Sequence, residues 1–341
     1  MGYRAKKLKV EGDIKILKRV LLGVLLFMLV GLAVFSAFVP PNTWKYRVGL
    51  PSVGKRDAGE LRIHFLDVGQ GDCSIIELPD GKVMMIDGGD GRASTEKTVL
   101  RYLNALKINV IDYLIVTHAD ADHCGSLDKV LKYKKVLKAY LPLSSPENDS
   151  EYAQFYAALL RKEISYVYTS RKEFVVCQET ETYPYQISFL YPYSGDKEEI
   201  IDNEGLILSE KENYYSAVIW LDYFGSSALF TGDAPQAVEE ALIRDAEFGM
   251  FDDRGVDLKS TEILKVAHHG SEDATSADFL DYLNVKTAVI SCGAKNAYNH
   301  PTTAVLNRLH ERNVDTYRTD FKGYVTVTMK TSGEYFVRTH K

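Results

Sequence analysis

His118-Ala-Asp-Ala-Asp-His123 packs four potential metal ligands, His118, Asp120, Asp122 and His123, into six residues directly after the apolar run Val110–Val116. Strongly hydrated carboxylates and imidazoles crowded this closely compete for space unless a cation holds them, so the pattern points to a metal centre. The plain alternative is a polar loop whose charges face water. Two further junctions weigh against it. Leu229-Phe-Thr-Gly-Asp233 ends one apolar run in a lone carboxylate, and Ile263-Leu-Lys-Val-Ala-His268-His269-Gly-Ser271 ends another in paired imidazoles. Two cations about 3.5–4 Å apart can share a hydroxide, supply it as a nucleophile near neutral pH, and clamp a phosphoryl or carbonyl oxygen.

This order of motifs resembles the metallo-β-lactamase fold, and within it the ComEC-type branch, the hydrolase-like domain found on DNA-uptake channel proteins and in free-standing relatives. The matching segments are His64-Phe-Leu-Asp-Val-Gly-Gln-Gly-Asp72, Met85-Ile-Asp87-Gly-Gly89, Thr117–His123, Thr231-Gly-Asp233, His268–Ser271 and Asn299-His300-Pro301. They cover roughly residues 60–340 and are specific for the fold far more than for the substrate. The resemblance implies an α/β (α+β) αββα sandwich, two sheets with helices outside.

Most members of this fold read His-x-His-x-Asp-His, whereas here Asp120 stands in the place of the second histidine, the ComEC-type form. A further histidine usually precedes the bridging Asp, but Glu212-Asn-Tyr-Tyr-Ser-Ala217 has none. The resemblance then implies one metal site of His118, Asp120 and a shared Asp233, and a second of Asp122, His123, Asp233 and one of the adjacent histidines. Oxygen-rich sites favour harder ions, so one or two divalent ions, Zn²⁺ or Mn²⁺, are expected. Successive residues at a strand end point to opposite sides, which favours His269 as ligand and His268 facing the substrate or supporting the site, the plain alternative being a buried, hydrogen-bonded core histidine at either position. Asp122 and His268 are the expected catalytic residues. Asp67, Gln70 and Asp72, in a Gly-punctuated turn, read either as a substrate or supporting loop or as a hairpin turn with solvated carboxylates. Asp87, Ser271 and His300 are supporting candidates on the resemblance alone.

Val20–Val39 is an uncharged stretch of twenty residues, long enough to cross the roughly 30 Å core of a bilayer. Seven Lys and Arg against Glu11 and Asp13 give the preceding segment a net +5; the whole chain carries −6, so the remainder carries −11. The positive flank is expected to stay in the cytoplasm, placing the C-terminal domain outside. A cleaved signal peptide is the competing reading, disfavoured by the length of the run and by Pro40-Pro41 ending the helix. Cys73, Cys124, Cys177 and Cys292 are too few for a disulfide framework, and Cys124 is expected as a buried thiol rather than a ligand.

The expected organisation is a basic segment over 1–19, a transmembrane helix or signal anchor over 20–39, a linker over 40–60 and a hydrolase domain over 61–341. Strands are expected at Leu61–Asp67, Cys73–Leu78, Lys82–Ile86, Asp112–Val116, Ser216–Tyr223, Ser227–Phe230, Ile263–Ala267, Thr287–Ser291 and Gly323–Met329. Helices are expected at Thr95–Leu106, Gly125–Tyr133, Tyr152–Arg161, Pro235–Arg244, Ser276–Leu283 and Thr302–Glu311. Residues 142–215 are dense in tyrosine, and Tyr166/Tyr168 and Tyr183/Tyr185 read either as exposed hairpin faces or as an aromatic wall beside the metal site.

Together these expectations describe a membrane-anchored extracellular metal-dependent phosphodiesterase of ComEC type, with DNA among its candidate substrates. One alternative is an envelope hydrolase like the phosphorylcholine esterases. Another is a non-catalytic metal-binding accessory of a DNA-uptake or envelope assembly, which the missing histidine before Asp233 would suit. The −11 balance argues against strong nonspecific DNA binding, though Arg92–Lys97 or Lys129–Lys138 could form a local basic groove.

Overall fold

Short apolar runs bounded by Gly, Asp or Lys are too brief for helices and fold as strands in the computed structural model, which describes residues 2–38, 41–144, 149–171, 174–177, 182–193 and 212–340. In chain order they are β1 (Leu61–Phe65), β2 (Ser74–Glu77), β3 (Val83–Ile86), β4 (Val110–Ile115), β5 (Lys135–Leu141), β6 (Ser165–Tyr168), β7 (Phe174–Cys177) and β8 (Tyr185–Tyr191). Then follow β9 (Val218–Tyr223), β10 (Ser226–Phe230), β11 (Ile263–Lys265), β12 (Thr287–Ile290), β13 (Asp315–Arg318), β14 (Tyr324–Met329) and β15 (Tyr335–His340).

One sheet has the order β15-β14-β1-β2-β3-β4-β5-β6, the other β13-β12-β11-β10-β9-β8-β7. The inner faces bury Phe65, Ile86, Ile115, Ile219, Phe230 and Val289 in one core, with Phe65 stacked on Phe230 at 5.9 Å. The helices Ala93–Ala105, Leu127–Tyr133 and Ser150–Arg161 lie in the segments joining strands of the first sheet, each burying apolar residues. Gln236–Glu247, Ala277–Tyr282 and Thr303–Glu311 pack Val238, Leu242, Phe279 and Leu309 with Leu229 and Leu264 of the second. The chain is therefore the expected αββα sandwich.

β3 runs parallel to β4, and β10, β11 and β12 run parallel to one another. Register aligns Ile86 with Ile115 in one sheet and Phe230 with Lys265 in the other. The loops after these strands thus leave at one common edge, the usual location for ligands in sheets of this kind.

Several strands escape the sequence pattern. β5, β13 and β15 carry Lys, Asp, Arg and His among their apolar residues, which blurs the alternation. The tyrosine-rich region is also corrected. Tyr185 is a buried core residue on β8, not part of an exposed hairpin face, and β6 pairs in parallel with β5 rather than forming a hairpin. Tyr152, Tyr191 and Tyr215 are buried as well, so the tyrosines of this region do not form one aromatic wall. Residues 194–211 of it lie outside the described residues.

The chain divides into two units, Met1–Leu50 and Pro51–Lys341. The first is a helix over Gly2–Phe38, within which Ile14–Ala37 has a mean hydropathy of 2.7 and is long and apolar enough to cross a membrane. Its expected end at Val39-Pro40 lies outside the described residues. Residues 51–60, expected as linker, dock on the first sheet: Arg56 donates to the Leu78 carbonyl at 2.6 Å and Arg62 to the Gly54 and Lys55 carbonyls at 2.8 and 2.6 Å.

Candidate metal centre

Three strand ends deliver the candidate ligands and a fourth delivers the carboxylate that anchors one of them. Asp87 follows β3, His118–His123 follow β4, Asp233 follows β10, and His268 and His269 follow β11. Asp233 is at the centre, buried, with carboxylate oxygens 3.2 Å from His123 Nε2, 3.5 Å from His269 Nε2 and 3.9 Å from both His118 Nε2 and His268 Nε2. Asp120 reaches His118 Nε2 at 3.6 Å, and Asp122 reaches His269 Nε2 at 3.1 Å.

Each buried imidazole is anchored through Nδ1. His123 Nδ1 donates to Asp87 Oδ2 at 2.8 Å, and His269 Nδ1 donates to the Ser291 carbonyl at 2.9 Å. The Thr117 hydroxyl donates to Asp87 Oδ2 at 2.7 Å, which leaves its lone pair to accept from His118 Nδ1 at 3.1 Å. In the neutral ring these bonds hold the proton on Nδ1, so Nε2 is the nitrogen left to a metal once the ring is deprotonated. The atoms so aimed, Nε2 of His118, His123 and His269, together with Asp233 Oδ1, are buried and have no hydrogen-bond partner of acceptable geometry. Orphaned buried polar atoms are expensive, and their convergence on one point is what a cation would relieve, so these residues fit a divalent ion.

The fields within the cluster agree. Burial alone would raise the Asp233 carboxyl, but His123, His269 and His118 hold it far below the usual carboxylate range. Burial would lower the His269 imidazole, yet Asp233, Asp122 and Asp72 carry it up to about 10. Burial would raise the Asp122 carboxyl, but the adjacent His269 imidazole at 3.1 Å and the His123 charge hold it low. The fields therefore favour Asp233 and Asp122 as carboxylates, ready to coordinate, and a metal at His269 must compete with a proton.

His268 and His269 do occupy different positions, but not through strand alternation. β11 ends at Lys265, and both histidines adopt left-handed backbone, at φ 47° and 54°. His269 is buried, whereas the His268 ring is one-quarter exposed and Nδ1-bonded to Asp273 at 3.2 Å, with Nε2 3.4 Å from Asn213 Nδ2. Burial lowers the His268 pKa, but Asp273 and Asp233 outweigh it and raise it.

The supporting candidates are distributed unevenly. Asp72 lies with His123, Asp233 and His269 in one cluster whose ligand atoms all fall within 4.8 Å of one another. It is also paired with buried Lys265 at 2.6 Å. Asp67 accepts from Gly69 N at 3.4 Å within the Gly-punctuated turn, and Gln70 accepts from Gly293 N at 3.2 Å, which ties the turn to the loop after β12. Gly71 is obligatory there: it has φ +129°, and a Cβ would fall 2.3 Å from the Asp122 carbonyl. Ser271 turns to Asp273 rather than to the cluster. His300 contacts His268 edge-on at 5.5 Å and stacks on Tyr298 at 5.7 Å. Cys124 is buried, bonds the Ala119 carbonyl at 3.2 Å, and its thiol is pushed up by burial.

The sequence reading missed Thr117, Lys265, Asp273 and Ser291. A lone Lys inside the apolar run Ile263–Ala267 was the available signal for one of them; Thr117, Asp273 and Ser291 have no comparable mark. Beside the cluster, a groove of about 770 Å³ is lined by Gln70, Arg92, Asp122, Lys295 and Tyr298. Of the anticipated basic stretches, Lys129 is paired with Asp128 at 2.8 Å and Glu96 at 3.3 Å, and Lys134 is buried against Asn104 and the Ile108 carbonyl. Arg92 reaches the groove.

Two sheets with imidazoles and carboxylates gathered at the strand ends around Asp233 define a metallohydrolase fold, and the chain belongs to the metallo-β-lactamase superfamily, whose model matches residues 66–294. Among curated relatives, ComE operon protein 3 of Bacillus subtilis (strain 168) is 28% identical over 80% of this chain and 34% of its own length. Competence protein ComA of Neisseria gonorrhoeae is 27% identical over 77% and 32% respectively. The chain thus spans about a third of the length of these relatives. Among solved structures, a diphosphatase of the PhnP family aligns with a TM-score of 0.41 at 13% identity, covering 79% of this chain and 98% of that one.

Proposed function

We propose that this chain is a membrane-anchored, metal-dependent phosphodiesterase that acts on nucleic acid outside the cytoplasm. The observation that carries the reading is the convergence of four orphaned buried atoms, from His118, His123, Asp233 and His269, beside an open groove. His118, Asp120 and Asp233 would hold one ion, and Asp122, His123, Asp233 and His269 another, as Zn²⁺ or Mn²⁺. A divalent ion bound there supplies an activated water near neutral pH and polarises a phosphoryl oxygen.

The chain's own residues do the rest. Asp273 orients His268 and favours a proton on the ring, which Nε2 can hold for the leaving oxygen. Asp87 and Thr117 keep His123 and His118 in register. Arg92, paired with Asp90 at 2.6 Å, and Lys295 line a groove large enough for a nucleotide fragment that also carries Asp122 and Glu151, and Tyr298, two-thirds exposed, offers a ring to a base. Nucleic acid is favoured as the phosphodiester because one of the curated relatives is named a competence protein. The net +5 before the apolar helix supports a domain outside the membrane.

The test supplies Mn²⁺, Zn²⁺ and Mg²⁺ separately to the purified chain and measures bound metal and hydrolysis of bis(p-nitrophenyl) phosphate. Single-stranded DNA, double-stranded DNA and a phosphorylcholine ester are then added as competitors. Metal-dependent hydrolysis inhibited by DNA is expected. Stoichiometric metal without hydrolysis would instead mark an accessory module, and inhibition by the choline ester alone would move the substrate to envelope polymers.

A further inference from the structure

The outer face of the first sheet carries a second cavity that shares no lining residue with the metal groove. Register places Arg62 of β1 beside Thr328 of β14 and Phe336 of β15, and His64 beside Thr326 and Arg338. Ile63, Val327 and Val337, which alternate with them, pack into the core. The two threonines form a low floor between taller side chains, and residues 53–60 close one side, leaving about 360 Å³.

Its charge is unbalanced. Lys55, Arg62, Lys330 and Arg338 line it against only Asp57 and Glu60, in a chain whose overall charge is −6. Glu60 is already taken by Arg62 at 2.9 Å. Lys55, Lys330 and Arg338 make no ion pair among the described residues, and buried Arg62 leaves Nε without a partner. A point one Cβ length from Gly54 lies 4.0 Å from Nη1 of both Arg62 and Arg338, so two guanidinium groups approach one place. Cations gathered this way repel unless an anion joins them, and the guanidinium fork matches phosphate oxygens. Phe336, half-exposed and with Lys330 Nζ 5.1 Å from its ring centroid, adds an apolar surface at the rim.

We propose that this cavity binds a nucleotide-sized phosphate ester, its phosphate between Arg62 and Arg338 with Lys330 at the rim, and its organic portion against Phe336. Binding is independent of the metal centre, so it stands or falls apart from the phosphodiesterase reading. Calorimetry on the detergent-solubilised full chain, with chelator present, uses adenosine 5′-monophosphate, inorganic phosphate and adenosine as probes. The monophosphate is expected to bind tightest and adenosine weakest. Arg338→Ala and Lys330→Ala alter exposed side chains and should leave the melting temperature unchanged; Arg338→Ala should weaken the monophosphate at least tenfold, and Arg338→Lys should recover part of the loss. Asp233→Asn should bind the monophosphate as the parent does. No binding by the parent, equal binding of adenosine, indifference to Arg338→Ala, or loss in Asp233→Asn would each overturn the proposal.

Discussion

Replacing Asp87 by Asn tests whether the metal centre is built by controlling imidazole tautomers. Asp87 is buried and accepts three hydrogen bonds, from Thr117 N at 2.8 Å, Thr117 Oγ1 at 2.7 Å and His123 Nδ1 at 2.8 Å. Asn has nearly the same shape, so packing is preserved, but one oxygen acceptor becomes an NH₂ donor. If that NH₂ faces His123, the ring must present a lone pair at Nδ1 and carry its proton on Nε2, where a metal would bind. If it faces Thr117 N instead, two backbone and side-chain donors oppose each other in a buried place, a penalty of about 1–3 kcal/mol. Either orientation lowers metal affinity, by about 10–100-fold on the scale of other ligand-orienting partners, or about 1.4–2.7 kcal/mol at roughly 1.4 kcal/mol per factor of ten. Competition against a chelator of known affinity measures this, with the metal-free melting temperature as the control for folding. Affinity within twofold of the parent in a folded Asp87→Asn protein would refute the tautomer argument.

Further outcomes follow from the site and from the charge that flanks the apolar helix. Asp233→Asn should lose most bound metal and nearly all hydrolysis, because this carboxylate faces all four clustered imidazoles; unchanged metal content would remove it as the bridge. His269→Ala should lower metal affinity, whereas His268→Ala should keep the metal and slow turnover by about 10²–10⁴-fold, as for a positioned acid or base; metal loss only in the latter reverses the roles. With the His269 pKa raised to about 10 from 6.5, metal loading near neutral pH should release protons and tighten as pH rises, read as a calorimetric heat that varies with the buffer's ionisation enthalpy. The sign for the metal-free fold is the reverse: this imidazolium's contribution is full below about pH 6.5 and disappears as pH passes 10, so metal-free melting temperatures that climb through that window would contradict it. Finally, protease added to intact cells should remove the domain, and a domain cut only after lysis would reverse the orientation.

The candidate ligands were legible in the chain because each sits at the end of an apolar run, where a strand gives way to a loop, and because imidazole and carboxylate are rare together at such spacing. The apolar helix was legible for a similar reason: its hydropathy is local. The edge strands β13 and β15 were not, since their polar residues reflect exposure decided by neighbouring strands. Strand alternation does not separate His268 from His269, because β11 ends at Lys265 and both histidines themselves take left-handed backbone.

What the sequence alone determined is therefore the inventory: which residue types are available for metal chemistry, their order along the chain, and the apolar segment that precedes them. Only the tertiary structure decided their roles. Asp87 and His123 are 36 positions apart and Asp72 is paired with Lys265, far later in the chain. Which nitrogen carries a proton, which carboxylate is ionised and which ring reaches the groove depend on distances of about 3 Å between groups brought together by two sheets, and hydrogen-bond direction and field strength at that range have no local trace in sequence.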